Sequence, residues 1–233
     1  MLPLSPARRR SLVALAALAL IGASSAARAE REQRPVDPFD RIALRTIGEL
    51  FIEQTAADSL RVEAEPKVLA RLRTTVRNGT LTIEFEGAVR TDRPVRFYAT
   101  VRTLRAIDTT GSGDITISAL RGDTLAVLHT GSGSVVANAL DLKQLTVRAA
   151  GAGEITLAGR VDEHDAQLGG AGDYDAHRLV SRIARIEVSG AGRATVHVTA
   201  ELDAIVAGSG DLRYSGGARV RQRIQGAGSI APR

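Results

Sequence analysis

Seven Gly-x-Gly tripeptides punctuate the second half of this chain at nearly constant intervals. They begin at Gly111, Gly131, Gly151, Gly170, Gly190, Gly208 and Gly226, so the spacings are 20, 20, 19, 20, 18 and 18 residues. A period of that length marks a repeat architecture, in which each unit buries its apolar face only against the next copy. The columns of the repeat identify the unit. Four residues after each first glycine stand Ile115, Val135, Ile155, Tyr174, Ala194, Leu212 and Ile230. Six after stand Ile117, Ala137, Leu157, Ala176, Val196, Tyr214 and Pro232. Apolar residues two apart with polar ones between, as in Ile115-Thr116-Ile117, describe a strand with one buried face. A looser alternating pair of columns, Ile107 to Gln222 and Thr109 to Ile224, precedes the glycines. Each repeat therefore reads strand, corner, strand, Gly-x-Gly corner.

Two all-β architectures fit two strands per repeat. The one expected is a right-handed parallel β-helix, or solenoid, with coils of 18–20 residues; the alternative is an antiparallel meander with each Gly-x-Gly as a hairpin turn. The solenoid explains the constant coil length, because equal columns must stack at about 4.8 Å. It also suits a chain with 3% aromatic residues and no Trp, since a narrow interior is filled by Val, Ile, Leu and Ala. The structural corners are Gly111 and Gly113, Gly131 and Gly133, Gly151 and Gly153, Gly170 and Gly172, Gly190 and Gly192, Gly208 and Gly210, and Gly226 and Gly228. Glycine is expected there because repeated corners need positive φ.

Residues 39–103 read as a less regular β segment that leads into the repeats of 104–233 and caps them, the whole of 39–233 forming one domain. Asn78-Gly79 between Thr74-Thr75-Val76 and Leu81-Thr82-Ile83 is a hairpin signal, as both residues tolerate positive φ. Pro66 to Leu72 fits a short helix with proline at its first position. All four Phe residues (Phe39, Phe51, Phe85, Phe97) lie in this segment. Residues 30–38, with Pro35 and Pro38, read as a flexible leader.

Residues 1–29 read as a secretory signal peptide. Arg8-Arg9-Arg10 forms the basic start, Leu12 to Gly22 the apolar stretch, and Ala27-Arg28-Ala29 the small-x-small cleavage site before Glu30. Arg9-Arg10-Ser11-Leu12-Val13 loosely resembles a twin-arginine signal, but the ordinary Sec leader accounts for it. The leader holds 4 of the 31 basic residues and no acid, leaving 27 basic against 26 acidic, a net charge of +1 for the remainder. The basic character of the chain thus belongs mostly to the leader, and nucleic acid is not expected as a partner. The absence of cysteine from the chain excludes disulfides and thiol chemistry. No later stretch is apolar for ~18 residues, so a soluble mature protein is expected.

A dinucleotide fingerprint needs G-x-G-x-x-G opening a helix. Gly111-Ser112-Gly113-Asp114-Ile115-Thr116 lacks the third glycine and continues as a strand, so no nucleotide or other cofactor is expected. Calcium is the stronger rival. The position after Gly-x-Gly carries Asp114, Ser134, Glu154, Asp173, Arg193, Asp211 and Ser229, and Asp114, Glu154, Asp173 and Asp211 form a polar corner ladder of potential oxygen ligands. Calcium-binding β-rolls repeat every nine residues, about half the period here, and Arg193 interrupts the file. The simpler reading is that these side chains cap corner N–H groups. His129, His164, His177 and His197 fall in different columns without ligand spacing, so no metal site is expected; His129 reads as a core histidine bonded to backbone. There is no G-x-S-x-G elbow, and no catalytic residue is assigned.

Phe39-x-x-Ile42, Asn78-Gly79-Thr80-Leu81-x-Ile83 and the recurring Gly-Ser/Ala-Gly-Asp/Glu-Ile together resemble the head GIN domain family, described as putative auto-transporter adhesins, over Phe39 to Ile230. The resemblance implies a bacterial envelope protein with a β-helix-like fold and brings no catalytic residues. Ala152, Ala171, Ala191 and Ala227 at the middle of the tripeptide argue against an essential serine. Only seven residues follow Gly226, too few for a membrane barrel. A periplasmic protein, or one reaching the surface by another route, is therefore expected. The function expected is a non-enzymatic adhesion, binding or scaffold module acting through the solenoid faces. Its partners would be envelope polysaccharide, a surface protein or a second copy joined at sheet edges. A self-assembling structural protein and a polysaccharide-active enzyme are the alternatives.

Overall fold

A computed structural model describes residues 29–233. The expected signal peptide, residues 1–29, therefore lies outside the described residues except for Ala29. The ladder begins with β1 (Glu30–Arg34), β2 (Arg41–Leu44), β3 (Glu49–Gln54) and β4 (Ser59–Ala64), followed by α1 (Pro66–Leu69). Next come β5 (Leu72–Arg77), β6 (Thr80–Phe85), β7 (Arg96–Val101), β8 (Ala106–Thr109), β9 (Asp114–Ile117) and β10 (Leu120–His129). The long strands are β11 (Val135–Ala149), β12 (Ile155–Leu168), β13 (Tyr174–Val188) and β14 (Arg193–Val206). The last are β15 (Asp211–Ser215), β16 (Arg219–Ile224) and β17 (Ser229–Pro232).

From β8 onward every pairing is parallel, and those among β8 to β17 link residues one period apart, such as Val127 with Ile107 and Val147, and Val135 with Ile115 and Ile155. The chain is a β-solenoid of about 6 turns, not a meander. The apolar columns become continuous files through the core. One runs Phe97, Leu50, Ile115, Val135, Ile155, Tyr174, Ala194 and Leu212, and every member is buried.

The corner glycines are required for a different reason from the one expected. None of the fourteen has positive φ. They are needed because consecutive coils touch there through backbone alone. A Cβ placed on Gly131 would lie 1.9 Å from the Gly111 carbonyl oxygen, and one on Gly151 would lie 1.8 Å from that of Gly131. The same approach recurs at Gly170, Gly190, Gly208 and Gly226. Positive φ is used instead at the second corner, where Gly159 has φ 125° and its Cβ position meets the Leu140 carbonyl oxygen at 2.1 Å. That second corner does not interrupt pairing. β11 to β14 bend through it as continuous strands, and the change of direction is taken up by register shifts such as that between Ala137 and Leu140.

The N-terminal segment is more ordered than its sequence suggests. The solenoid begins at β2 rather than near residue 104, because Ile42 pairs with Ile107 and Leu50 with Ile115. The parallel stack continues outward through β6 on β2 and β7 on β3, and antiparallel pairs cap it. β4 pairs with β7, β5 with β6, and β1 with β4. Residues 30–34 of the expected flexible leader are thus a strand, tied by the antiparallel β1–β4 ladder and by Arg34, which donates to the Leu69 carbonyl at 3.0 Å. The β5–β6 turn has the expected left-handed pair, Asn78 at φ 50° and Gly79 at φ 74°. α1 starts at Pro66 and buries Val68 and Leu69. Phe97 on β7 is fully buried at the outer end of the core file.

Replacing Gly151 with Ala should cost ~3 kcal/mol or more, since the added methyl overlaps backbone that has nowhere to retreat. Gly217→Ala, with nothing within 4 Å of its Cβ position, should leave stability nearly unchanged. Thermal unfolding by circular dichroism measures both; equal melting temperatures would contradict the backbone-stacked corner.

Candidate functional site

The strand leaving each Gly-x-Gly corner places the polar corner ladder in one file on the outer surface. Parallel register sets Asp114 beside Ser134, Glu154 beside Asp173, and Arg193 beside Asp211. The file extends into the cap through Glu49, Arg96 and Glu63. Its carboxylates are occupied by neighbours. The Ser134 backbone N–H and hydroxyl both donate to Asp114 Oδ1 at 2.8 Å, and the Ser229 hydroxyl donates to Asp211 Oδ1 at 2.6 Å. Thr156 donates to Glu154 at 3.0 Å, and an Arg193 nitrogen lies 4.0 Å from Asp173. Among the described residues no group of three or more His, Asp or Glu is placed to hold a metal ion. At Asp114 the side chain caps the next coil's corner N–H.

Two aromatic side chains stand on the same outer face. Phe51 and Tyr98 stack with centroids 5.4 Å apart and planes 18° apart, and the Arg61 guanidinium lies 4.7 Å over Tyr98. Cross-strand register puts Arg61 and Phe51 on opposite sides of Tyr98. Both faces of that ring are therefore covered. The trio is a cross-strand stack that stabilises the cap, not a free platform for a ring-shaped ligand.

Sequence reading missed a buried polar cluster. His164, Tyr174 and Ser181 each occupy an apolar column, beside Leu145, Ile155 and Val161 respectively. The clue was available: these are the polar exceptions in those files. Tyr174 hydroxyl is 2.6 Å from His164 Nε2, and Ser181 Oγ is 3.1 Å from His164 Nδ1. Burial pushes the histidine pKa down to about 4 and raises that of the tyrosine, so both are neutral. Tyr174 then donates to Nε2, and the Nδ1–H donates to Ser181. His129 is buried as expected, but neither ring nitrogen has a well-formed partner. Burial lowers its pKa, and a looser contact with the Gly133 backbone opposes that. Of the other histidines, His177 Nδ1 lies 2.5 Å from Asp175 Oδ1 and His197 Nδ1 lies 2.9 Å from Ser215 Oγ. The four do not converge on one site.

The surface carboxylates are pinned by cations. Asp141 accepts two hydrogen bonds from Arg160, at 2.7 and 2.8 Å, and Asp123 pairs with Lys143 at 2.7 Å. These bonds hold both carboxyls below their ordinary pKa. Burial acts to raise the pKa of Asp58, but hydrogen bonds from Arg102 outweigh it and the net direction is down. Glycosidic hydrolysis needs one carboxyl with a raised pKa as proton donor. The carboxyls that depart clearly from their usual range here all move the other way.

An open cleft of about 670 Å³ lies at the N-terminal end of the solenoid, lined by residues 38–41, Asp58, Asn78, Gly79, Arg102, Thr103 and Arg105. Among the described residues no helix is long and apolar enough to cross a membrane.

Residues 38–218 match the family model described as putative auto-transporter adhesin, head GIN domain. Three solved structures share the fold. A putative adhesin from Bacteroides fragilis NCTC 9343 superposes with TM-score 0.83 at 23% identity, covering 88% of this chain and 97% of that one. A putative lipid binding protein from Parabacteroides distasonis ATCC 8503 gives 0.67 at 24% identity, covering 88% and 97%. A putative adhesin from Parabacteroides merdae ATCC 43184 gives 0.68 at 20% identity, covering 88% and 96%. No curated protein matches.

Because His164 titrates near 4 when folded and near 6.5 when unfolded, the unfolded chain takes up the proton first as pH falls. Stability should be full above about pH 6.5 and decline toward pH 4 by up to ~3 kcal/mol. The triple variant H164L/Y174I/S181V restores the apolar files without leaving a partner unsatisfied. It should fold and show a flatter pH profile in urea titrations; an unchanged slope would remove His164 as its source. Addition of EDTA should leave the melting temperature unchanged, since the ladder carboxylates are satisfied by protein donors; a large drop would restore the calcium reading.

Proposed function

Since this chain belongs to the head GIN domain family, we propose that it is an exported, non-enzymatic binding module of the bacterial cell envelope and that its ligand is an envelope polysaccharide. The observation that carries this reading is the periodic outer surface. Equal positions of successive coils repeat every ~4.8 Å along the ladder, and their side chains are held by cross-coil pairs such as Arg160 with Asp141 and Arg185 with Asp203. A rigid, evenly spaced array of donors and acceptors complements a chain that is itself a repeat of one or two sugar units. Restraint before binding lowers the entropy lost on association.

The pinned carboxylates support the non-enzymatic half of the reading, because ionised, guanidinium-bound carboxyls are poor proton donors. Self-assembly at sheet edges is disfavoured by charge. Arg219, Arg221 and Arg223 alternate along β16, all exposed, and like charges on a strand oppose its pairing with an identical one. Export rests on residues 1–29, with Arg8 to Arg10, the apolar stretch and the Ala27-Arg28-Ala29 site.

The test is retention of the mature protein, beginning at Glu30, on immobilised envelope polysaccharides, with reducing ends assayed in parallel. Retention without new reducing ends is expected. Release of reducing ends would make the protein a hydrolase, and failure to bind any preparation would overturn the polysaccharide reading.

A further inference from the structure

We propose that the cleft at the N-terminal end of the solenoid is a binding site for a carboxylate-bearing saccharide, with Arg41, Arg102 and Arg105 as its ligand-facing cations. This rests on the polysaccharide reading above and deepens it to a ligand class and a place. The cleft is not part of the repeat. After β3 the chain leaves the stack to build β4, α1 and β5, and it re-enters through β6, which pairs parallel with β2, and β7, which pairs parallel with β3. The cleft lies where it leaves and re-enters. Segments far apart in sequence meet there: residues 38–41, Asp58, the hairpin tip at Asn78-Gly79, and Arg102, Thr103 and Arg105. The hairpin tip is locked to the entry strand, because the Asp40 and Arg41 N–H groups donate to the Gly79 carbonyl at 3.0 and 3.1 Å. At about 670 Å³ the space is of the size that holds a small ligand.

The charges define the ligand. Asp58, with its side chain only 6% exposed, is used up by Arg102, which donates from its backbone N–H at 2.8 Å and from Nε at 3.0 Å. Asp40 is shared by two guanidinium groups, Arg105 at 3.5 Å and Arg41 at 4.0 Å. Among the lining residues three arginines stand against two aspartates, a formal charge of +1. Each guanidinium carries five N–H donors in a planar fork, and these contacts occupy only some of them. The remaining donors match a carboxylate, which arginine binds in the two-pronged manner lysine cannot. The Asn78 amide and Thr103 hydroxyl on the same walls offer neutral donors and acceptors for ring hydroxyls. Phe39, the one aromatic residue in the lining, is buried in the core, so the cleft presents no exposed aromatic ring. Ion pairing restrains the arginines before a ligand arrives.

The experiment is calorimetric titration of the mature protein with oligogalacturonate, a neutral maltooligosaccharide and inorganic phosphate, at low and raised salt. Oligogalacturonate should bind, more weakly as salt rises, and the neutral oligosaccharide and phosphate should not compete. Arg41→Gln and Arg105→Gln should each weaken binding about tenfold. Arg193→Gln, on the corner ladder, should bind as wild type, and all variants should keep the wild-type melting temperature. Unchanged binding by both cleft variants, equal binding of the neutral sugar, or displacement by phosphate would each overturn the proposal. So would failure to bind oligogalacturonate. If the protein is still retained on envelope polysaccharide in any of these cases, the broader reading survives and only the cleft assignment falls.

Discussion

Backbone contact at the Gly-x-Gly corner is the constraint on which the rest of the solenoid depends. There the carbonyl oxygen of one coil sits where the next coil's Cβ would be, within about 2 Å of that position at Gly131, Gly151, Gly170 and Gly190. A single larger residue would lever two coils apart. The parallel ladders on both sides of the corner would then lose their register together, because the residues of each coil pair with the equivalent residues of the next. With the corners fixed, coil length is fixed, and the inward columns become files of Ile, Val, Leu and Ala with little room for aromatic rings.

A regular stack of this kind has two weaknesses, and the protein handles each with residues outside the repeat. An open coil end exposes apolar files and unpaired backbone groups. At the N-terminal end β1, β4 and β5, joined on by antiparallel pairing, cover it together with α1. A narrow apolar interior also tolerates polar groups badly. His164, Tyr174 and Ser181 are accommodated because they occur as a set in neighbouring columns, each satisfying another. The cluster's cost emerges only when acid forces a proton onto a buried imidazole. The cap brings a further consequence. In leaving the stack to build it, the chain opens a recess in which arginines and aspartates from separate segments face each other.

The corner ladder illustrates how a pattern can be correct in placement and still open in chemistry. Asp114, Glu154, Asp173 and Asp211 do share one file, as their positions in the repeat require. What each carboxylate does depends on the residue one coil away. Ser134 supplies two donors to Asp114, whereas Arg193 stands between Asp173 and Asp211. Aligned carboxylates in a sequence resemble a metal ladder until their hydrogen-bond partners are known.

The sequence by itself determined the solenoid, its period, its inward columns and the Asn78-Gly79 hairpin, because these follow from local geometry repeated many times. A period of 18–20 residues with fixed glycines leaves few other ways to bury every copy's apolar face. It did not single out His164, Tyr174 and Ser181, whose contact depends on neighbouring columns meeting inside the core. Only the tertiary structure decided why the corners must be glycine, since the obstacle is the backbone of another coil and not the residue's own φ. Only it turned residues 30–34 into a strand and brought Arg41, Arg102 and Arg105 around one cleft. Those outcomes rest on contacts between segments tens of residues apart with no repeat to relate them, and no local pattern encodes such a meeting.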